Sequence, residues 1–255
     1  MNISSRVTAR LIVTNTEKAG ATLPKPVKTA YTRATQISEG GRSLASPSDD
    51  LAQTIANAIT EGRDPAADPD VQRILTAGQI ANEGTMQALD RIAFAEFSEV
   101  CHQQADAIVA AWREPFDQAA ATLTVAHSHI GDVPLTDAQT ILHKGANIAE
   151  VWASARSAVE TIDALLVAWA SLMPFARLVT PQKGHEVLRL AAIDWPTWRE
   201  ANLPDANPWA VVRAAFSLSL PTADEYAQRV AVIEEGTRRA QLEAQRSREA
   251  GVFVR

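Results

Sequence analysis

A single cysteine, Cys101, in 255 residues excludes an intramolecular disulfide framework and fits a reducing compartment. Long hydrophobic runs are also missing. The longest charge-free apolar stretch, Ala164–Ala176, has 13 residues, whereas a membrane-spanning helix needs about 20. The opening "MNISSRVTARLIVTNTEK" has no sustained apolar core of the secretory kind; it is rich in Arg, Ser and Thr and poor in acids, a composition shared with organellar transit peptides. The expectation is a soluble chain, cytoplasmic or virion-associated, neither secreted nor membrane-spanning. There is no phosphate-cradling Gly-rich loop and no dinucleotide fingerprint. Aromatic residues make up only 5% of the chain and Lys is scarce, five against nineteen Arg.

What is present favours helix. Hydrophobic residues at 46% and charged residues at 21% belong to a globular chain, long enough for one large domain or two small ones. The net charge of −6 is unevenly spread. Residues 1–46 carry seven basic groups (Arg6, Arg10, Lys18, Lys25, Lys28, Arg33 and Arg42) and two acidic ones, for +5. Residues 47–110 carry three basic and eleven acidic groups, for −8. A basic arm leading into an acidic body points to a negatively charged contact: nucleic acid, another subunit, or the chain's own acidic helix.

The organisation follows from caps and spacing. Residues 1–46, dominated by Thr, Ser, Lys and Pro, predict an extended or disordered basic arm with "RLIVT" as a short strand. Residues 47–176 predict a helical bundle. Ser46-Pro47 and Asp68-Pro69 are cap-plus-proline starts, and Gly62 is a stop. A helical stretch from Asp68 to about His127, interrupted or kinked at Gly78, Gly84 and Pro115, is followed by a turn at "HIGDVP". Thr136 and Gln139 suggest a capping box for a third long helix ended by Pro174. In it Ile148, Trp152, Ala155, Val159, Ile162, Leu166, Trp169 and Met173 alternate steps of four and three, and Val151, Ala158, Leu165 and Leu172 widen the stripe. A face that broad belongs to a bundle helix rather than a simple coiled coil, and the short preceding turn predicts a long antiparallel hairpin. Residues 177–221 predict an irregular Trp/Pro-rich connection with short helices. Residues 222–255 predict an amphipathic C-terminal helix that starts at a Thr222–Glu225 capping box and presents Tyr226, Val230 and Ile233.

No catalytic constellation stands out. His102, His127, His129 and His143 have poor ligand spacing, since residues two apart on a helix point about 200° apart. His185-Glu186 opens an HExxH-like string, but Arg189 occupies the place of the second His. Gly41–Ala45 is a defective nucleophile elbow. Cys101 sits near Glu96, Glu99 and Asp106, which would discourage a thiolate, so a buried structural role is expected. Glu96 and Glu99 lack the Glu-x-x-His partners of a di-metal site. No metal or cofactor is expected, and no motif is specific to a family.

The segment "DWPTWREANLPDANPW", Asp194–Trp209, holds three of six Trp and three of thirteen Pro. Trp195, Trp198 and Trp209 either seal a helical corner or, with Tyr226, Val230 and Ile233, offer a partner surface, since Trp is enriched at binding hot spots. The expected function is a non-catalytic, homo-oligomeric structural or assembly protein, tethered by its basic arm to other subunits or nucleic acid; an arm with long helices suits virion or mobile-element architecture. The alternative is a helical enzyme or small-ligand-binding protein with a pocket between the hairpin and the Trp-rich segment, its polar groups drawn from His143, His185, Glu186 and Asp194. Nucleic-acid binding through the arm is the weaker alternative.

Overall fold

The computed structural model describes residues 5–43, 48–80, 83–177, 185–201 and 207–252. Among them there are eleven α-helices and a short 3-10 helix, with no strand, so the mainly α expectation holds. Two compact units emerge: one comprises Met1–Ala9 and Lys25–Gln103, the other Arg10–Pro24 and Gln104–Arg255.

Residues 5–43 are helical and not an extended arm, forming α1 (Ser5–Lys18) and α2 (Lys25–Ser43). The inward stripes mix Ile12 and Val27 with mostly small residues, which a search for large apolar side chains passes over. Ala9, Ile12, Thr16 and Ala19 are buried at helical spacing, as are Val27, Ala30, Ala34 and Ser38. Threonines that compete with helix in isolation return their hydroxyls to the carbonyl one turn back, Thr14 to Arg10 (2.8 Å) and Thr32 to Lys28 (3.0 Å). Gly20, at φ +75°, closes α1 with bonds from its own N–H to Glu17 and from the Ala21 N–H to Thr16, a left-handed stop suited to glycine. The cations of the supposed arm therefore sit on helix surfaces. Arg10, Lys18, Lys25, Lys28 and Arg33 face solvent, Arg6 is half-buried, and Arg33 pairs with Glu96 at 3.1 Å. Arg42 lies in α2, its side chain outside the described part.

In the first unit α2 packs antiparallel on α5 (Glu83–Gln103): Tyr31 meets Phe97 edge-on at 5.8 Å, and Ser38 donates to Asp90 at 2.6 Å. α3 (Ser48–Thr60) and α4 (Pro69–Ile80) form a second hairpin. Gly62 stops α3 as expected, and Asp68 caps α4 by accepting from the N–H groups of Asp70 and Val71 while pairing with Arg63. The Ser46-Pro47 start lies outside the described residues. Cys101 is fully buried, and burial, rather than the neighbouring acids, pushes its thiol up to about 12. All six Trp fall in the other unit, whereas Cys101 lies in the first. A disulfide reagent at pH 8 is expected to leave native Cys101 unmodified and to react only at the rate at which this unit opens; prompt stoichiometric reaction would contradict its burial.

In the second unit α6 (Ala105–Ile130) and α8 (Ala146–Phe175) form the long pair. Lys144, just before α8, donates to the Ile130 carbonyl at the end of α6 (2.6 Å). At the other end Arg113 pairs with Glu225 (2.7 Å), whose neighbour Tyr226 stacks edge-on against Trp169 near the end of α8 (5.1 Å). The pair is therefore antiparallel. The expected Asp68–His127 stretch is interrupted between α4 and α5, a boundary flanked by Gly78 and Gly84; Pro115 is accommodated within α6, and a second break falls at Gln104. The expected capping box at Thr136–Gln139 does not form. Asp137 caps the short α7 (Ala138–Leu142) by accepting from Thr140, and Gly145 at φ +109° separates it from α8. A charged carboxylate is the better cap, and the left-handed glycine forbids one continuous helix. Among the described residues α8 is the one helix long and apolar enough to cross a membrane by length and composition; more than half of that stretch is buried in the protein.

The 3-10 helix (Glu186–Arg189), α9 (Trp195–Ala201) and α10 (Pro208–Arg213) lead to α11 (Ala223–Val252). The Thr222–Glu225 capping box forms in both directions, at 2.7 and 3.2 Å. The Thr222 N–H, with help from Arg113, holds the Glu225 carboxyl below the usual carboxylate range. Tyr226, Val230 and Ile233 are buried inside this chain, so the stripe expected to meet a partner is used internally, where α11 packs on α9 and the 3-10 helix.

Candidate functional site

Tryptophan joins a large apolar ring to one N–H donor, which must find an acceptor when buried. Four of the six indoles do so by pinning a distant segment. Trp112 donates to the Thr16 hydroxyl (2.9 Å) and Trp169 to the Pro221 carbonyl (2.9 Å). The other two converge on the connection between α6 and α7. Trp209 of α10 donates to the Val133 carbonyl at 3.0 Å, and Trp152 of α8 to the Leu135 carbonyl at 2.9 Å. Two anchors on carbonyls two residues apart hold an irregular stretch in one conformation, and the Trp209 ring also meets His127 edge-on at 5.8 Å.

The space these elements enclose is a pocket of about 690 Å³. Helical periodicity explains its α8 wall, because Trp152, Arg156, Val159 and Glu160 lie at i, i+4, i+7 and i+8 on one face. Trp152 and Val159 belong to the stripe whose members Ala155, Ile162, Leu166, Trp169 and Met173 are buried, while Ile148, Trp152 and Val159 are only half-buried; the last two line the cavity. α10 contributes Trp209, Ala210 and Arg213, with Pro208 in the first turn and Asn207 capping it through the Trp209 N–H (2.8 Å). The connection supplies Pro134 and Leu135. The walls are mostly apolar, with charge confined to exposed positions. Arg156 lies over the Trp152 ring, 5.4 Å from its centroid, and neither Arg156 nor Arg213 has an ion-pair partner among the described residues.

The polar groups expected for such a pocket lie elsewhere. His143 bonds the Gln139 carbonyl within its own turn (2.6 Å). Asp194 caps α9 by accepting from Thr197 (3.0 Å), and the Thr197 side-chain and backbone bonds keep its carboxyl low. His185 lies beside Trp198, with ring centroids 6.2 Å apart, and Glu186 opens the 3-10 helix. None of the four lines the cavity. The Trp-rich segment thus divides. Trp209 is buried in a structural role that also shapes the pocket wall, rather than standing free for a partner. Trp195 and Trp198 are half-buried, 5.8 Å apart, with Arg199 over Trp195. Among the described residues no group of three or more His, Cys, Asp or Glu could hold a metal ion. His127 pairs with Asp132 at 3.2 Å, and Glu99 accepts from Gln103.

Comparison with known proteins gives no match: no family model, no curated protein and no solved structure is similar to this chain.

Proposed function

We propose that this chain is a non-catalytic helical binding protein that receives a small molecule in the pocket between α8, α10 and the α6–α7 connection. The observation that carries this reading is the pair of tryptophans, Trp152 and Trp209, each tied by its N–H to the connection. A cavity of this volume with mostly apolar walls and a few polar groups has the form of a ligand site. Assembly through a free arm and an open C-terminal stripe draws less support, because α1, α2, Tyr226, Val230 and Ile233 are committed to the chain's own core. The cytoplasm, where a lone buried thiol is unexceptional, belongs to the same proposal.

A neutral apolar probe tests the reading. 2-Naphthamide is expected to bind the full chain at one site. Filling the cavity with Ala210→Phe, on the half-exposed face of α10, should abolish binding while leaving the unfolding free energy within about 1 kcal/mol of the parent. Binding that survives Ala210→Phe would place the probe elsewhere and overturn the reading.

A further inference from the structure

We propose that the natural ligand of this pocket is an anion carried on a flat apolar body, of which an aromatic carboxylate is the simplest member. The inference rests on the pocket being a small-molecule site and adds the chemical class that would occupy it. Three charged side chains line the cavity, Arg156, Arg213 and Glu160, so the site carries a net positive charge. The Arg156 guanidinium lies over the Trp152 ring, which supplies no acceptor to its N–H donors. Arg213 ends α10 and finds no carboxylate among the described residues. Two planar forks without anions, at the edge of a Trp-walled cavity, match a carboxylate or another planar oxyanion in geometry and sign. The apolar walls, Trp152, Val159, Leu135 and Trp209, are suited to a flat ring, since indole faces accept offset or edge-on stacking.

Glu160 is the opposing consideration. It lies four residues from Arg156 on the same face and makes no ion pair with it among the described residues. Burial raises the neighbouring Asp163 carboxyl, Lys18 lowers it and Glu160 raises it. A site built for a cation would have used the Glu160 carboxylate with the Trp faces and would not have placed two unpaired guanidinium groups beside it.

Calorimetric titration of the full chain with 2-naphthoate, 2-naphthamide and 2-naphthylmethylammonium at pH 7 separates the cases. The expected order is naphthoate first, about tenfold tighter than the amide, with the ammonium weakest. In Arg213→Gln, and again in Arg156→Gln, the advantage of naphthoate over the amide should fall towards unity. Equal binding of acid and amide, a preference for the ammonium, or a naphthoate preference untouched by both substitutions would overturn the anion class and leave the pocket as a small-molecule site. Binding of none of the three would remove both.

Discussion

Gly236→Ala is expected to destabilise the protein by about 2–3 kcal/mol, although alanine is the better helix former by about 1 kcal/mol. Gly236 lies inside α11, and a Cβ built on it would fall within the Trp195 side chain, overlapping ring atoms and approaching the Trp195 Cβ at 2.5 Å. A rotamer change alone cannot relieve a clash that reaches the Cβ, so α9 would have to move off α11, a packing contact of this unit. The sign of the effect should reverse once the indole is gone. In a Trp195→Ala background the same Gly236→Ala change should be neutral or stabilising, by up to about 1 kcal/mol, because only helix propensity then remains. Urea unfolding followed by circular dichroism reads both. A stabilising Gly236→Ala in the parent chain would show that Trp195 does not rest on the helix.

Thr16→Val is the second large effect. The shapes are nearly identical, yet the exchange removes a hydroxyl that accepts from Trp112 Nε1 (2.9 Å) while donating to the Ile12 carbonyl (2.6 Å), with both side chains inaccessible to solvent. The indole N–H would be left buried without an acceptor, a penalty of about 1–3 kcal/mol. Thr16→Ser keeps the hydroxyl and should lose only about 1 kcal/mol for the missing methyl. Trp112→Phe removes the donor, so Thr16→Val should cost markedly less in that background. Equal costs in both backgrounds would mean that the hydroxyl and the indole are not partnered.

These two sites mark the boundary of what sequence reasoning reaches. The α8 stripe is legible because large residues carry its four-three alternation, and the α11 start is legible because Thr222 and Glu225 form a local motif. α1 and α2 escape the same reading because, beside Ile12 and Val27, mostly Ala, Thr and Ser carry their buried faces, and these residues weigh little in any apolar pattern. Gly236 looks like an ordinary helix-weakening residue until Trp195 is placed upon it. The pocket shows the limit most clearly. Its tryptophans are conspicuous in the sequence, but what they do depends on two backbone carbonyls of the α6–α7 connection, and a carbonyl has no sequence signature. Histidines and acids drew attention as the natural chemistry of a site, whereas Arg156 and Arg213 look like ordinary surface charges. Only the folding of α10 beside α8 brings them to one cavity.

The central claim, that Trp152 and Trp209 frame a ligand site while the other indoles serve packing, is tested most directly on the six indole N–H groups themselves. They are observed by nitrogen-15 NMR and assigned by single Trp→Phe replacement. On titration with 2-naphthoate the Trp152 and Trp209 signals should move together and saturate at one equivalent, while those of Trp112 and Trp169 stay in place. Shifts confined to Trp195 and Trp198, or no shift at all, would contradict it.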